Sequence, residues 1–148
     1  MIISLPVSIK KIHRLGRDFP WPRPGSCPVC HSGRLWGHGF VLAYFDDLPE
    51  GLWLRRYRCP LCGSVHRLKP EGYFRRFQAS VSTIRGAIER RLITGRWPPG
   101  VCRVRYAQWL KNLSRQVMAR LGRWYMGRLL CGFDRLIRLG AIPVTRSL

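Results

Sequence analysis

The chain has 148 residues, enough for one ordinary domain or two small ones, and a formal net charge of +20 from 27 Lys+Arg against 7 Asp+Glu. Such an excess makes a compact chain repel itself, which calls for an anionic partner. No stretch reaches the ~18–20 apolar residues of a membrane-spanning helix, and no membrane partner is expected.

Only Lys10, Lys11, Lys69 and Lys111 are lysines; the other basic residues are arginines. Guanidinium forks pair bidentately with phosphate and with guanine edges, which favours nucleic acid over diffuse attraction to a membrane surface. A GC-rich genome accounts for the Arg:Lys ratio but not for the scarcity of acids. The apolar opening Met1–Ile9 is followed by its charges and has no small-residue cleavage site, so no signal peptide is expected. Cys102 and Cys131, which look unpaired, fit a reducing compartment. The expected location is cytoplasmic and nucleoid-associated.

Residues 1–26 contain Pro6, Pro20, Pro22 and Pro24. Phe19–Pro24 cannot be helical, because each proline holds its predecessor extended. An extended basic arm is expected, either a plain linker or a minor-groove arm, with Trp21 packed somewhere.

Residues 27–78 carry two copies of one hook, Cys27-Pro-Val-Cys30 and Cys59-Pro-Leu-Cys62. Four soft ligands at this spacing close a tetrahedral structural site for one Zn²⁺, with no position open to a substrate. The interval between hooks exceeds the usual ~15–20 residues, but it suits a β-hairpin that leaves the first hook and returns to the second. Two redox pairs are the alternative, and a thioredoxin-like site would need a βαβ context that is missing. Arg34–Phe45 reads as a strand, with Gly37 and Gly39 marking a bulge or close approach. Asp46–Gly51 reads as a turn. Leu52–Arg58 should return as a strand with Trp53, Arg55 and Tyr57 on one face, and Gly63–Lys69 should form a third. So short a module cannot build an adequate core, and the metal is expected to contribute much of its folding free energy. His31, His38 and His66 lie near the hooks, but four cysteines already fill the shell.

From about residue 79 the apolar period changes to that of a helix. Val81, Ile84, Ile88 and Leu92 predict a first helix ending at Gly95. Val104, Ala107, Leu110, Leu113, Val117 and Leu121 predict a second ending at Gly122. A third is expected over 124–139, with Tyr125, Leu129, Gly132, Phe133 and Leu136 inward, and a tail over 141–148. The fold class expected is therefore α+β: a three-stranded antiparallel zinc ribbon over 27–78, then a basic bundle of about three helices over 79–140. That bundle admits a helix-turn-helix, against the plainer reading in which its arginines only solvate the surface.

The run Cys27-Pro-Val-Cys30, Trp36-Gly-His-Gly39, Arg55-Arg-Tyr-Arg-Cys-Pro-Leu-Cys-Gly63 and Leu68-Lys-Pro70 resembles the N-terminal zinc-ribbon regions of bacterial insertion-sequence transposases, and short uncharacterised bacterial proteins with the same ribbon. The resemblance covers about residues 27–78. It implies metal binding at Cys27, Cys30, Cys59 and Cys62 and nucleic-acid contact near Arg55–Arg58. His31 stands where Gly often follows the first hook, and Ser64-Val-His66 replaces the usual Arg-Thr-Phe. The seven carboxylates, Asp18, Asp46, Asp47, Glu50, Glu71, Glu89 and Asp134, offer no strand-borne triad for a two-metal nuclease, so no catalysis is expected. The expectation is a zinc-dependent DNA-binding protein associated with a mobile element, without the nuclease core. Arg55, Arg56, Arg58, Arg75 and Arg76 would contact nucleic acid from the ribbon, and Arg115, Arg120, Arg123 and Arg128 from the helices. Duplex DNA is the favoured partner, and a transposase or other protein partner stays open. An RNA-binding accessory factor and a zinc-ribbon interaction adaptor are the alternatives.

Overall fold

The computed structural model describes residues 1–148 and is α+β, in two units, Met1–Ser80 and Val81–Leu148. No helix is long and apolar enough to cross a membrane. The first unit runs β1 (Ile2–Leu5), α1 (Ile9–Leu15), β2 (Trp36–Phe45), β3 (Leu48–Arg58) and β4 (Val65–Pro70). The strands form one sheet in the order β1-β4-β3-β2. β2, β3 and β4 are antiparallel neighbours, as expected, but the sheet is mixed, because β1 pairs parallel with β4 from Ile2↔Arg67 to Leu5↔Pro70.

The extended arm expected over 1–26 is corrected accordingly. β1 supplies the backbone groups that the outer edge of β4 would otherwise lack, and α1 turns Ile12 into full burial. Proline governs only the stretch that follows, where Phe19 and Trp21 meet edge-to-face at 5.0 Å.

The hairpin is tighter than the expected 46–51 turn. Asp46 and Asp47 alone connect Phe45 to Leu48, and β3 absorbs Pro49–Gly51 as an irregularity opposite Tyr44. Gly51 has φ 78° there. The bulge anticipated in β2 lies between Gly37 and Phe40, with Gly39 at φ 72°. A Cβ on Gly37 would stand 2.5 Å from the Arg55 guanidinium, so this is also a close approach.

β3 contributes residues to two apolar clusters. Leu52 and Leu54 pack with Leu5, Ile12, Phe19 and Phe45. Tyr57 and Cys59 pack with Cys27, Leu35 and Leu68. Trp21 touches both clusters.

The second unit holds α2 (Val81–Thr94), α3 (Arg103–Leu121) and α4 (Leu129–Arg138). Gly95 and Gly122 end α2 and α3 at positive φ, donating their N–H groups to Arg91 and Val117. The helix expected over 124–139 begins instead as a 3₁₀ turn, Arg123–Arg128, and becomes α-helical at Leu129. The α2–α3 connection runs from Gly95 to Cys102, longer than the ~3–4-residue turn of a helix-turn-helix.

The buried stripe of α3 differs from the expected one. It is Tyr106, Trp109, Asn112, Leu113, Gln116 and Val117, while Val104 is exposed. Two buried amides need partners, and residues 141–148 supply them. Asn112 Nδ2 donates to the Val144 carbonyl at 2.9 Å, and Gln116 Nε2 donates to the carbonyls of Thr145 and Ser147. That segment is therefore packed, with Val144 buried, and is not a loose tail.

Candidate metal centre and basic surfaces

Each hook is the end of a strand or loop folded back on itself by the same two backbone bonds. Cys27 N–H donates to Ser32 and His31 N–H to the Cys27 carbonyl; Cys59 N–H donates to Ser64 and Gly63 N–H to the Cys59 carbonyl. The two hooks are thus copies in space as well as in sequence. His31 and Gly63 occupy the same left-handed corner, with φ 59° and 70°.

The fold brings the four thiols to one point, with all four Sγ atoms within 4.8 Å of one another. Cys27 and Cys62 stand 3.7 Å apart, and Cys30 and Cys59 3.5 Å. A tetrahedron with metal–sulfur bonds of ~2.3 Å has edges of ~3.8 Å, so the spacing fits one ion held by all four. Cys27, Cys30, Cys59 and Cys62 can hold a metal ion, and Cys102 and Cys131 lie outside the group, both exposed.

Hydroxyls surround the sulfurs. Ser32 Oγ lies 3.1 Å from Cys59 Sγ and 3.3 Å from Cys30 Sγ, and Ser64 Oγ lies 3.2 Å from Cys62 Sγ. The backbone N–H of Cys62, then the Ser32 hydroxyl, pull Cys59 down to about 6 against its burial. The Ser64 hydroxyl and N–H lower Cys62. Burial pushes Cys27 up, opposed by the N–H groups of Cys30 and Val29. Two of the thiols are therefore biased toward the thiolate, the form that ligates metal.

His66 is fully buried, with Nε2 3.3 Å from Cys27 Sγ, and burial holds it below its usual value. The two atoms are within hydrogen-bonding distance, and the imidazole tautomer decides which of them donates. The histidines are not members of the four-sulfur group. Sequence reasoning missed Ser32 and Ser64, although the repeat Cys-Pro-x-Cys-x-Ser carries both.

The arginines singled out from sequence separate into distinct surroundings. Arg55 is half-buried, its guanidinium over the rings of Phe40 at 4.9 Å and Tyr57 at 5.8 Å. Arg58 is exposed at the end of β3. Arg56, Arg75 and Arg76 line one cleft of about 360 Å³, together with Arg67, Met1, Ile2, Val41 and Val65, and no carboxylate lines it.

In the helical unit Arg115 donates to the Arg146 carbonyl, and Arg120 donates to Gln116 at 2.9 Å. Arg128 covers the Trp124 ring at 4.9 Å, and Arg123 is exposed. These four do not form the basic hollow of that unit. Arg90, Arg91, Arg96 and Arg103 do, around Trp97 and Pro98–Gly100 at the α2–α3 connection, enclosing about 480 Å³. The pairs Arg90-Arg91 and Arg96-Trp97 were the available signal. Comparison with known proteins finds no matching family model, no matching curated protein and no matching solved structure.

Proposed function

We propose that the chain is a zinc-dependent nucleic-acid-binding protein, with duplex DNA as its partner. In this reading the two hooks form a zinc ribbon around one structural Zn²⁺, and the chain acts with a mobile element as a recognition region that lacks a nuclease core. The observation that carries it is the four-thiol group at tetrahedral spacing, with serine hydroxyls beside its sulfurs, in the same unit as a cleft lined with arginines and no acid. A shell of four protein ligands has no open position, so the ion is structural and catalysis is not assigned to it. The resemblance of residues 27–78 to transposase ribbons supports the link to a mobile element.

The test pairs metal analysis with competition binding. Protein purified without chelator should carry one Zn²⁺ per chain; Cys59→Ser should lose it, while replacing Cys102 and Cys131 should not. Duplex DNA should outcompete structured RNA and a polyanion control. With ~6–10 phosphate contacts, affinity should fall roughly 10³–10⁵-fold from 50 to 200 mM salt. Preference for structured RNA would replace DNA by RNA in the reading, and affinity unchanged over that salt range would overturn it.

A further inference from the structure

Arg56 and Arg67 are direct partners across the antiparallel ladder of β3 and β4. Like charges placed opposite each other in a sheet repel, and their cost falls on the folded state. Here the repulsion is not relieved by an acid, since no carboxylate lines the cleft that holds both. Arg56 Nε is in addition buried with no hydrogen-bond partner, a cationic donor that has lost water and gained nothing.

A second pair of arginines is carried to the same place by a tethered loop. Lys69, on β4, is buried and donates from Nζ to the carbonyls of Phe74 and Phe77, 2.8 Å each. Those two carbonyls bracket Arg75 and Arg76. Arg76 holds φ 68°, a left-handed conformation that a side-chain-bearing residue adopts at a cost. Across the ladder the turn is fastened by Tyr73 Oη donating to Asp47 at 2.9 Å and by Asp46 N–H donating to Gln78. Arg75 and Arg76 are exposed at the mouth, Arg56 and Arg67 half-buried at the wall.

We propose that this cleft is a phosphate seat: Arg56, Arg67, Arg75 and Arg76 take one phosphodiester of a bound nucleic-acid strand. Guanidinium forks match the oxygens of a phosphate, and one such group would neutralise the facing pair. The rigid half of the seat is the sheet, and the tethered loop sets the mouth. The inference rests on the nucleic-acid reading above for its polymer, but the seat itself rests on the four arginines.

The test uses the full-length, zinc-loaded chain with two probes, a duplex oligonucleotide and inorganic pyrophosphate, the second read on the arginine Nε–H signals by NMR. Arg67→Gln should weaken duplex binding about tenfold and flatten the salt slope by about one unit. It should also leave the Tm without ligand equal or higher, because the facing charge is gone. Arg138→Gln, in the helical unit, should leave affinity within about twofold. Pyrophosphate should shift the Arg56 and Arg67 signals in the wild type.

Duplex binding equally tight in wild type and Arg67→Gln overturns the seat and leaves the nucleic-acid reading standing. Pyrophosphate shifts at Arg56 and Arg67 without any nucleic-acid binding keep the seat and overturn that reading. Silence of both probes overturns both. Should Arg67→Gln fail to fold, Arg67→Lys keeps the charge, loses the fork and is read the same way; unchanged affinity there, with unshifted pyrophosphate signals, overturns the seat.

Discussion

His31 holds with a β-carbon the left-handed corner that Gly63 holds without one. The left-handed region costs an ordinary residue roughly 1–2 kcal/mol, and the two hooks are otherwise bonded alike. His31→Gly should therefore raise stability by about 1 kcal/mol with metal content unchanged, measured by urea unfolding and zinc analysis. Lys69 carries a cost of a different kind. Burial, then Arg67, lowers it from the usual 10.5 to about 8. A lysine depressed in the folded state binds fewer protons there than when unfolded, so its penalty is full below pH 8 and fades as pH rises toward 10.5. Wild-type stability should gain on Lys69→Met between pH 7 and 9.5, by at most ~1.4 kcal/mol per pH unit. Equal slopes for the two proteins in denaturant titrations would contradict this.

At the scale of elements, α3 and α4 touch through Gly132, where a β-carbon would stand 2.7 Å from Val117 Cγ2. Gly132→Ala should cost about 1–3 kcal/mol through overpacking, despite alanine's better helix propensity; thermal unfolding of the variant measures it. The existence of the three long helices was legible in the period of their apolar residues and in Gly95 and Gly122. The buried face of α3 was not, because Asn112 and Gln116 look polar until the carbonyls of Val144, Thr145 and Ser147 are seen to receive them. β2, β3 and β4 announced themselves by composition and by the hooks at their ends. β1 could not: four residues with a parallel partner far along the chain leave no local period to read. The cysteine group was legible because both copies of its spacing are short. The arginine cleft was legible only in part, since Arg67 joins it through strand register.

As a whole, the chain comprises two units with separate cores, and only Met1–Ser80 contains the cysteine group. In the zinc-ribbon reading, a chelator should abolish hydrogen-exchange protection in β2, β3 and β4 and leave the amides of α2, α3 and α4 protected. Simultaneous loss in both units would show that the helices depend on the ion. The pairing of β1 with β4 has a further consequence for how the chain is made. Ile2 pairs with Arg67 and Leu5 with Pro70, so β1 is synthesised well before the strand that completes its ladder. Both hooks are out of the exit tunnel only shortly before β4 is, and until then the apolar side chains of Ile2, Ile3 and Leu5 travel uncovered. Completion of the four-cysteine group and closure of the sheet edge thus fall at nearly the same moment of synthesis, and β1 waits uncovered for both.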